Sequence, residues 1–300
     1  MTERFDRFLF VDWSASSSPC TGGDSVWIAH GDGCAISSLN PSTRGDATEV
    51  IRDLLVSAVS NDERVLVGFD FPYGYPAGFA RALGFLGCAP WRDVWEELSA
   101  RIQDDPRNRN NRFDVAASLN RRLGSEPGPF YCAQRPQPDL PGNAHGVVFP
   151  YLTSSGEVLA KYRATERVGR RDAQLSPVWK LSYQPTVGSQ ALLGIPRLAR
   201  LRFDAALASV SEVWPLETGF SCVNRRPYVL HCEIWPRVIQ VVPDDSPSGT
   251  LDEAQVRGLV AWAADLQTRV GPSGLLGPPG APAEALRHAV TEEGWILGVG

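Results

Sequence analysis

The chain has 300 residues, 43% of them apolar and 21% charged, with a formal net charge of −5. That length admits one large domain or two moderate ones and buries enough surface to need no disulfide or metal staple. The acidic balance argues against a broad basic nucleic-acid face, and six scattered cysteines without a C-x-x-C pair exclude a zinc ribbon.

The first 70 residues read as strand, strand, strand, helix, strand. The run Phe8-Leu9-Phe10-Val11-Asp12 is short, aromatic and β-branched, so a buried strand is expected over residues 7–13. A Ser/Gly-rich link, 14–24, leads to a second strand at 25–30. Gly31-Asp32-Gly33 then makes a hairpin into a third at 34–39. A helix is expected from Asp46 to Ser60, with Ala47, Ile51, Leu55 and Ala58 on one face and Asp46 with Glu49 as a capping box. The fourth strand, Val65-Leu66-Val67-Gly68-Phe69-Asp70, stops before Pro72.

Trp91, Val94, Trp95, Leu98 and Ile102 mark an amphipathic helix, and another covers 113–123. The Pro/Gly-rich stretch 124–146 reads as a long loop, and 147–206 as part of an insertion or cap. Strands return at 211–216 and 228–234. Thr250-Leu251-Asp252-Glu253 opens a helix to about Gln267, and a last strand is expected at 294–299. This order gives an α/β fold: a mixed sheet, three antiparallel strands followed by alternating strands and helices, with helices on both faces. The expected division is a core of 1–83 and 207–300 around an insertion or cap subdomain of 84–206. Neither a signal peptide nor a run long enough to span a bilayer is evident, so a cytoplasmic protein with no membrane partner is expected.

Four carboxylates carry the candidate chemistry. Asp12, Asp70 and Glu233 lie in or just after strands, and carboxylates at the ends of buried strands are costly unless compensated. Asp252 shares a helix face with Val256, Leu259 and Ala263, so it is expected to point toward the sheet. Hard oxygen ligands of this kind suit Mg²⁺ or Mn²⁺. The motifs of phosphate-loop, dinucleotide-binding, α/β-hydrolase and zincin enzymes are missing.

Val11-Asp12, Gly68-Phe69-Asp70-Phe71-Pro72, Glu233-Ile234-Trp235-Pro236 and Glu293-Gly294-Trp295-Ile296, in this strand order, resemble the ribonuclease-H-like superfamily. The likeness is to its uncharacterised branch labelled domain of unknown function 429, and it covers the two ends of the chain. The resemblance implies a ribonuclease-H-like sheet and a metal-dependent nuclease or phosphoesterase site at Asp12, Asp70 and either Glu233 or Asp252. The expectation is therefore a phosphoester hydrolase in which Asp12 and Asp70, completed by Glu233 and Asp252, bind Mg²⁺ or Mn²⁺. Its substrate would be a phosphate-containing small molecule, such as a nucleotide, or single-stranded nucleic acid.

The middle of the chain supplies candidate phosphate binders. Arg109, Asn111 and Arg112 lie in a run of three arginines among amides, and Arg163, Arg167, Arg170 and Arg171 form a second basic cluster. Lys180, Ser189 and Gln190 sit in an irregular segment suited to lining a pocket. His231 shares a strand face with Glu233 and is a candidate metal neighbour or proton carrier. Two rival readings remain at this level. One is an actin-like ATP-dependent phosphotransferase using the Ser/Gly-rich turn as a phosphate cradle. The other is a non-catalytic scaffold in a biosynthetic pathway.

Overall fold

A computed structural model describes residues 4–124, 127–169, 175–242 and 246–300. Its centre is a six-stranded mixed sheet. The strands are β1 (Arg7–Asp12), β2 (Trp27–Gly31), β3 (Ile36–Leu39), β4 (Arg64–Phe69), β7 (Ser211–Val213) and β8 (Tyr228–Glu233). Two further short strands, β5 (Tyr151–Leu152) and β6 (Val158–Leu159), form a separate ribbon. The order across the main sheet is β3-β2-β1-β4-β8-β7. β1, β2 and β3 pair antiparallel, while β4 lies parallel to β1 and β8, and β7 parallel to β8.

Both faces of this sheet are covered, which is why β1 and β4 read as continuous apolar runs. Alternate residues point to opposite sides. Leu9, Val11, Val65, Val67 and Phe69 join one core with Ile51 and Leu55 of α1 (Arg44–Ser60). Phe8, Phe10, Leu66, Leu230 and Cys232 join the other with Val256, Leu259 and Ala263 of α7 (Leu251–Leu275).

Apart from Ala164 and Val168, which join the α7-side core, the middle of the chain packs on the α1 side. It carries α2 (Phe79–Ala82), α3 (Pro90–Arg101), α4 (Arg112–Leu123), α5 (Ala164–Gly169) and α6 (Gly188–Arg202); α8 (Ala283–His288) follows near the C-terminus. Trp95, Leu119, Trp179 and Leu192 belong to the same buried cluster as Leu9 and Val67, so the core runs without a break from sheet to insertion. No helix among the described residues is long and apolar enough to cross a membrane.

Three local expectations are corrected. α1 starts at Arg44, capped by Thr43, whose Oγ1 accepts from the Asp46 N–H; the pair Thr43/Asp46 does what was expected of Asp46/Glu49. α7 runs past Gln267 to Leu275, bending at Gly271, where φ is 72°. Residues 294–299 form no strand beyond one bridge, Glu233 with Ile296, and a π-helical turn, Ala289–Glu293, precedes them.

Candidate functional site

Register places the first two acids. Val11 pairs with Phe69 across the parallel β1–β4 ladder, so the next residues, Asp12 and Asp70, stand side by side. The Asp70 N–H donates to the Val11 carbonyl at 3.2 Å and continues the ladder to that row. Both residues are even-numbered in runs whose even positions face α7, so their carboxyls leave the sheet on that face. The close packing beneath them requires glycine at 68: a Cβ there would lie 2.6 Å from Ile234 Cγ2 and 2.7 Å from Phe10 Cδ1.

The two carboxyls are within hydrogen-bonding reach of each other. Burial raises the proton affinity of Asp12 well above the ordinary carboxylate range, and the neighbouring Asp70 charge adds to it. Burial pushes Asp70 up to about 6, against the stabilising effects of Asp12 and of the Trp13 N–H, which donates to Asp70 Oδ1 at 2.6 Å. Two carboxylates this close cannot both stay charged without a counter-ion; they share a proton or a cation.

Asp252 closes the same space from α7. Thr250 caps that helix by accepting the Glu253 N–H, which puts Asp252 in the first turn and on the sheet side, as expected. Its Oδ2 accepts the Asp24 N–H at 2.7 Å. Burial raises its proton affinity, and its charge in turn acts on Asp12 and Asp70. Asp24 is exposed at the end of the Ser-rich loop, with φ at 56°, and its charge bears on Asp12 as well. No motif singled out Asp24; only the fold of the loop brings it to the acids.

Glu233 is not with them. It pairs with Phe69 in the β4–β8 register and therefore points to the α1 side, and Ile234 takes the place beside Asp70. Its carboxylate is buried in a two-pronged ion pair with Arg163, at 2.7 and 2.6 Å, and accepts the Tyr73 N–H. Arg163 also binds Glu166 and the Glu293 carbonyl. A carboxylate so committed is a structural partner. His231, on the same face, is fully buried with Nε2 2.8 Å from Ser211 Oγ.

The six expected phosphate binders scatter. Arg109 is exposed and paired with Asp105 at 2.6 Å. Asn111 bridges Arg101 and Gln103 backbone atoms, and Lys180 donates to the Pro185 carbonyl. Arg112 and Ser189 are buried and joined to each other at 2.9 Å. Gln190 donates to the Trp13 carbonyl at 2.8 Å, one residue from Asp12. Of the second basic cluster, Arg170 and Arg171 lie outside the described residues.

Among the described residues, no set of three or more His, Cys, Asp or Glu side chains is arranged as a ready metal cage. The chemistry of the Asp12–Asp70 pair nevertheless fits a hard divalent cation: paired oxygens, excess negative charge and raised proton affinity. No family model, curated protein or solved structure matches the chain.

Proposed function

We propose that the chain is a metal-dependent phosphoester hydrolase built on a ribonuclease-H-like core. The observation that carries this reading is the Asp12–Asp70 pair at the C-terminal ends of two adjacent parallel strands, held in hydrogen-bonding reach with both proton affinities raised. Three antiparallel strands followed by parallel β4 and β8 support the resemblance, as does an acid at the end of each of the two central strands.

Asp12 and Asp70 hold the Mg²⁺ or Mn²⁺, and Asp252 takes the third place that the resemblance left open between it and Glu233. A divalent cation bound there supplies Lewis acidity and lowers the pKa of a coordinated water. The protein's own residues orient the pair: the Trp13 N–H fixes Asp70 Oδ1, Gln190 fixes the Trp13 carbonyl, and the Asp24 N–H fixes Asp252. With two acids this close, the site would favour a cation over an anion.

Calorimetric titration of Mn²⁺ into the wild type and Asp12→Asn tests the metal assignment. Saturable binding that disappears in the variant is expected, followed by Mn²⁺-dependent release of phosphate from nucleotides or cleavage of short single-stranded oligonucleotides. Binding of equal strength in both proteins would overturn it.

A further inference from the structure

Arg112 is 6% exposed, yet it has no carboxylate partner among the described residues. Buried charges are normally paired, because desolvation of a lone ion costs several kcal/mol. Arg112 is instead held by neutral oxygens: Nε donates to Ser189 Oγ at 2.9 Å, and Nη1 to Ser17 Oγ at 3.0 Å and Asn110 Oδ1 at 2.8 Å. Its Nη2 group takes no hydrogen-bond partner among the described residues, and the guanidinium lies over the Phe113 ring, 4.4 Å from its centroid.

The surroundings deepen the deficit. The acid whose charge reaches Arg112 is Asp104, and it is already shared by Arg44, at 2.5 Å, and Arg197, at 3.0 Å. Three guanidinium groups thus meet one carboxylate. Burial and the Arg44 charge lower the Arg112 pKa to about 10, which leaves it charged at neutral pH and short of an anion.

The same arginines shape the Ser-rich loop. Arg44 Nη1 donates to the Ser14 and Ser16 carbonyls, so Ser17 is presented with its hydroxyl on Arg112. A chain of hydrogen bonds links it to the acids. Ser189 holds Arg112, the adjacent Gln190 holds the Trp13 carbonyl, and the Trp13 N–H holds Asp70.

We infer that Arg112, with the hydroxyl of Ser17, forms a phosphate-binding subsite against the Ser-rich loop that follows Asp12. Its link to hydrolysis rests on the function proposed above; anion binding itself does not. The two N–H groups of Nη2 suit a phosphate oxygen and the Ser17 hydroxyl donates to another, while the Ser189 hydroxyl, which donates to the Leu181 carbonyl, holds Nε in place. The subsite takes the phosphate of a phosphorylated substrate, while the acids and their cation handle the bond to be cleaved.

The test is titration of inorganic phosphate in EDTA, followed by calorimetry, with wild type, Arg112→Lys, Ser17→Ala and Asp12→Asn. Saturable binding to the wild type without metal is expected. Arg112→Lys keeps a charge but loses the planar Nη2 donors and weakens binding roughly tenfold. Ser17→Ala, on an exposed loop, weakens it by a smaller factor in a protein that folds normally. Asp12→Asn, which abolishes Mn²⁺ binding, retains phosphate binding. Failure of the wild type to saturate, or equal affinity in Arg112→Lys and Ser17→Ala, overturns the subsite and leaves the metal assignment standing. Phosphate binding with no Mn²⁺ binding overturns the metal assignment and leaves the subsite.

Discussion

Asp70 and the residues around it carry a cost in stability. Asp70 has a folded pKa of about 6 against 3.8 for an ordinary aspartate. A raised carboxylate pKa means that ionisation opposes folding, so the charged form destabilises the protein at neutral pH and protonation below about 6 relieves it. Asp70→Asn keeps an acceptor for the Trp13 N–H and removes the charge. The variant is expected to be more stable than wild type at pH 7 by about 1 kcal/mol, read from denaturant midpoints, while losing Mn²⁺ binding.

Glu233→Gln behaves in the opposite way. It leaves Arg163 with one fewer buried counter-charge and costs about 3 kcal/mol of stability. Mn²⁺ affinity of the folded fraction is unchanged, and a loss of metal affinity in this variant would return Glu233 to the site.

His231 sets an acid limit. Burial, with a smaller effect from the Arg202 charge, lowers its pKa to about 3 from 6.5. Between those values the unfolded chain binds a proton that the folded chain refuses. Stability therefore falls as pH drops through that window, by at most about 1.4 kcal/mol per pH unit. Thermal midpoints of His231→Gln, measured across the window, are expected to fall less steeply than those of wild type.

At the scale of elements, strand parity and helix capping decide what the acids do. Spacing alone put Asp252 on the face of Val256 and Leu259; the residue is half-buried, on the Asp24 N–H, and its charge reaches Asp12 and Asp70, while Glu253 is the acid buried in that turn. Thr250→Ala removes the cap of that helix and is expected to cost about 1 kcal/mol in chemical denaturation. It also loosens the turn that carries Asp252, so Mn²⁺ affinity falls with it.

The ends of β1 and β4 were legible because their apolar runs stop at an acid. The direction of Glu233 was not, although it ends a similar run. Its side depends on whether Glu233 or Ile234 stands opposite Asp70, and a one-residue change of register reverses that. No local pattern in 228–234 carries this information, since every residue of β8 is buried on one face or the other.

Across the whole molecule, the insertion and the sheet share one core. Trp91, Trp95 and Trp179 from the middle of the chain lie in the same buried cluster as Trp13 and Phe69. The C-terminal turn ties the two parts again: Glu292 accepts the Gly78 and Ala80 N–H groups, and Glu293 accepts those of Ala77 and Ala164. Unfolding is therefore expected as one transition, with tryptophan fluorescence and far-ultraviolet dichroism coinciding along a denaturant series. Two separated transitions would show that residues 84–206 stabilise themselves.

By itself, the sequence determined the first four strands and the helix among them, that the sheet is mixed and covered on both faces, and which acids end its central strands. These features rest on periodicity, capping and turn chemistry, all of which act over a few residues. Tertiary structure alone decided that Asp12 and Asp70 touch, that Asp252 and Asp24 join them, and that Glu233 is bound by Arg163 from 70 residues away. It also decided that Arg112, indistinguishable by composition from the exposed Arg109, is buried without an acid, as Arg64 is. Charge pairing and burial are set by which distant segments the core brings together, and that is a property of the packed chain.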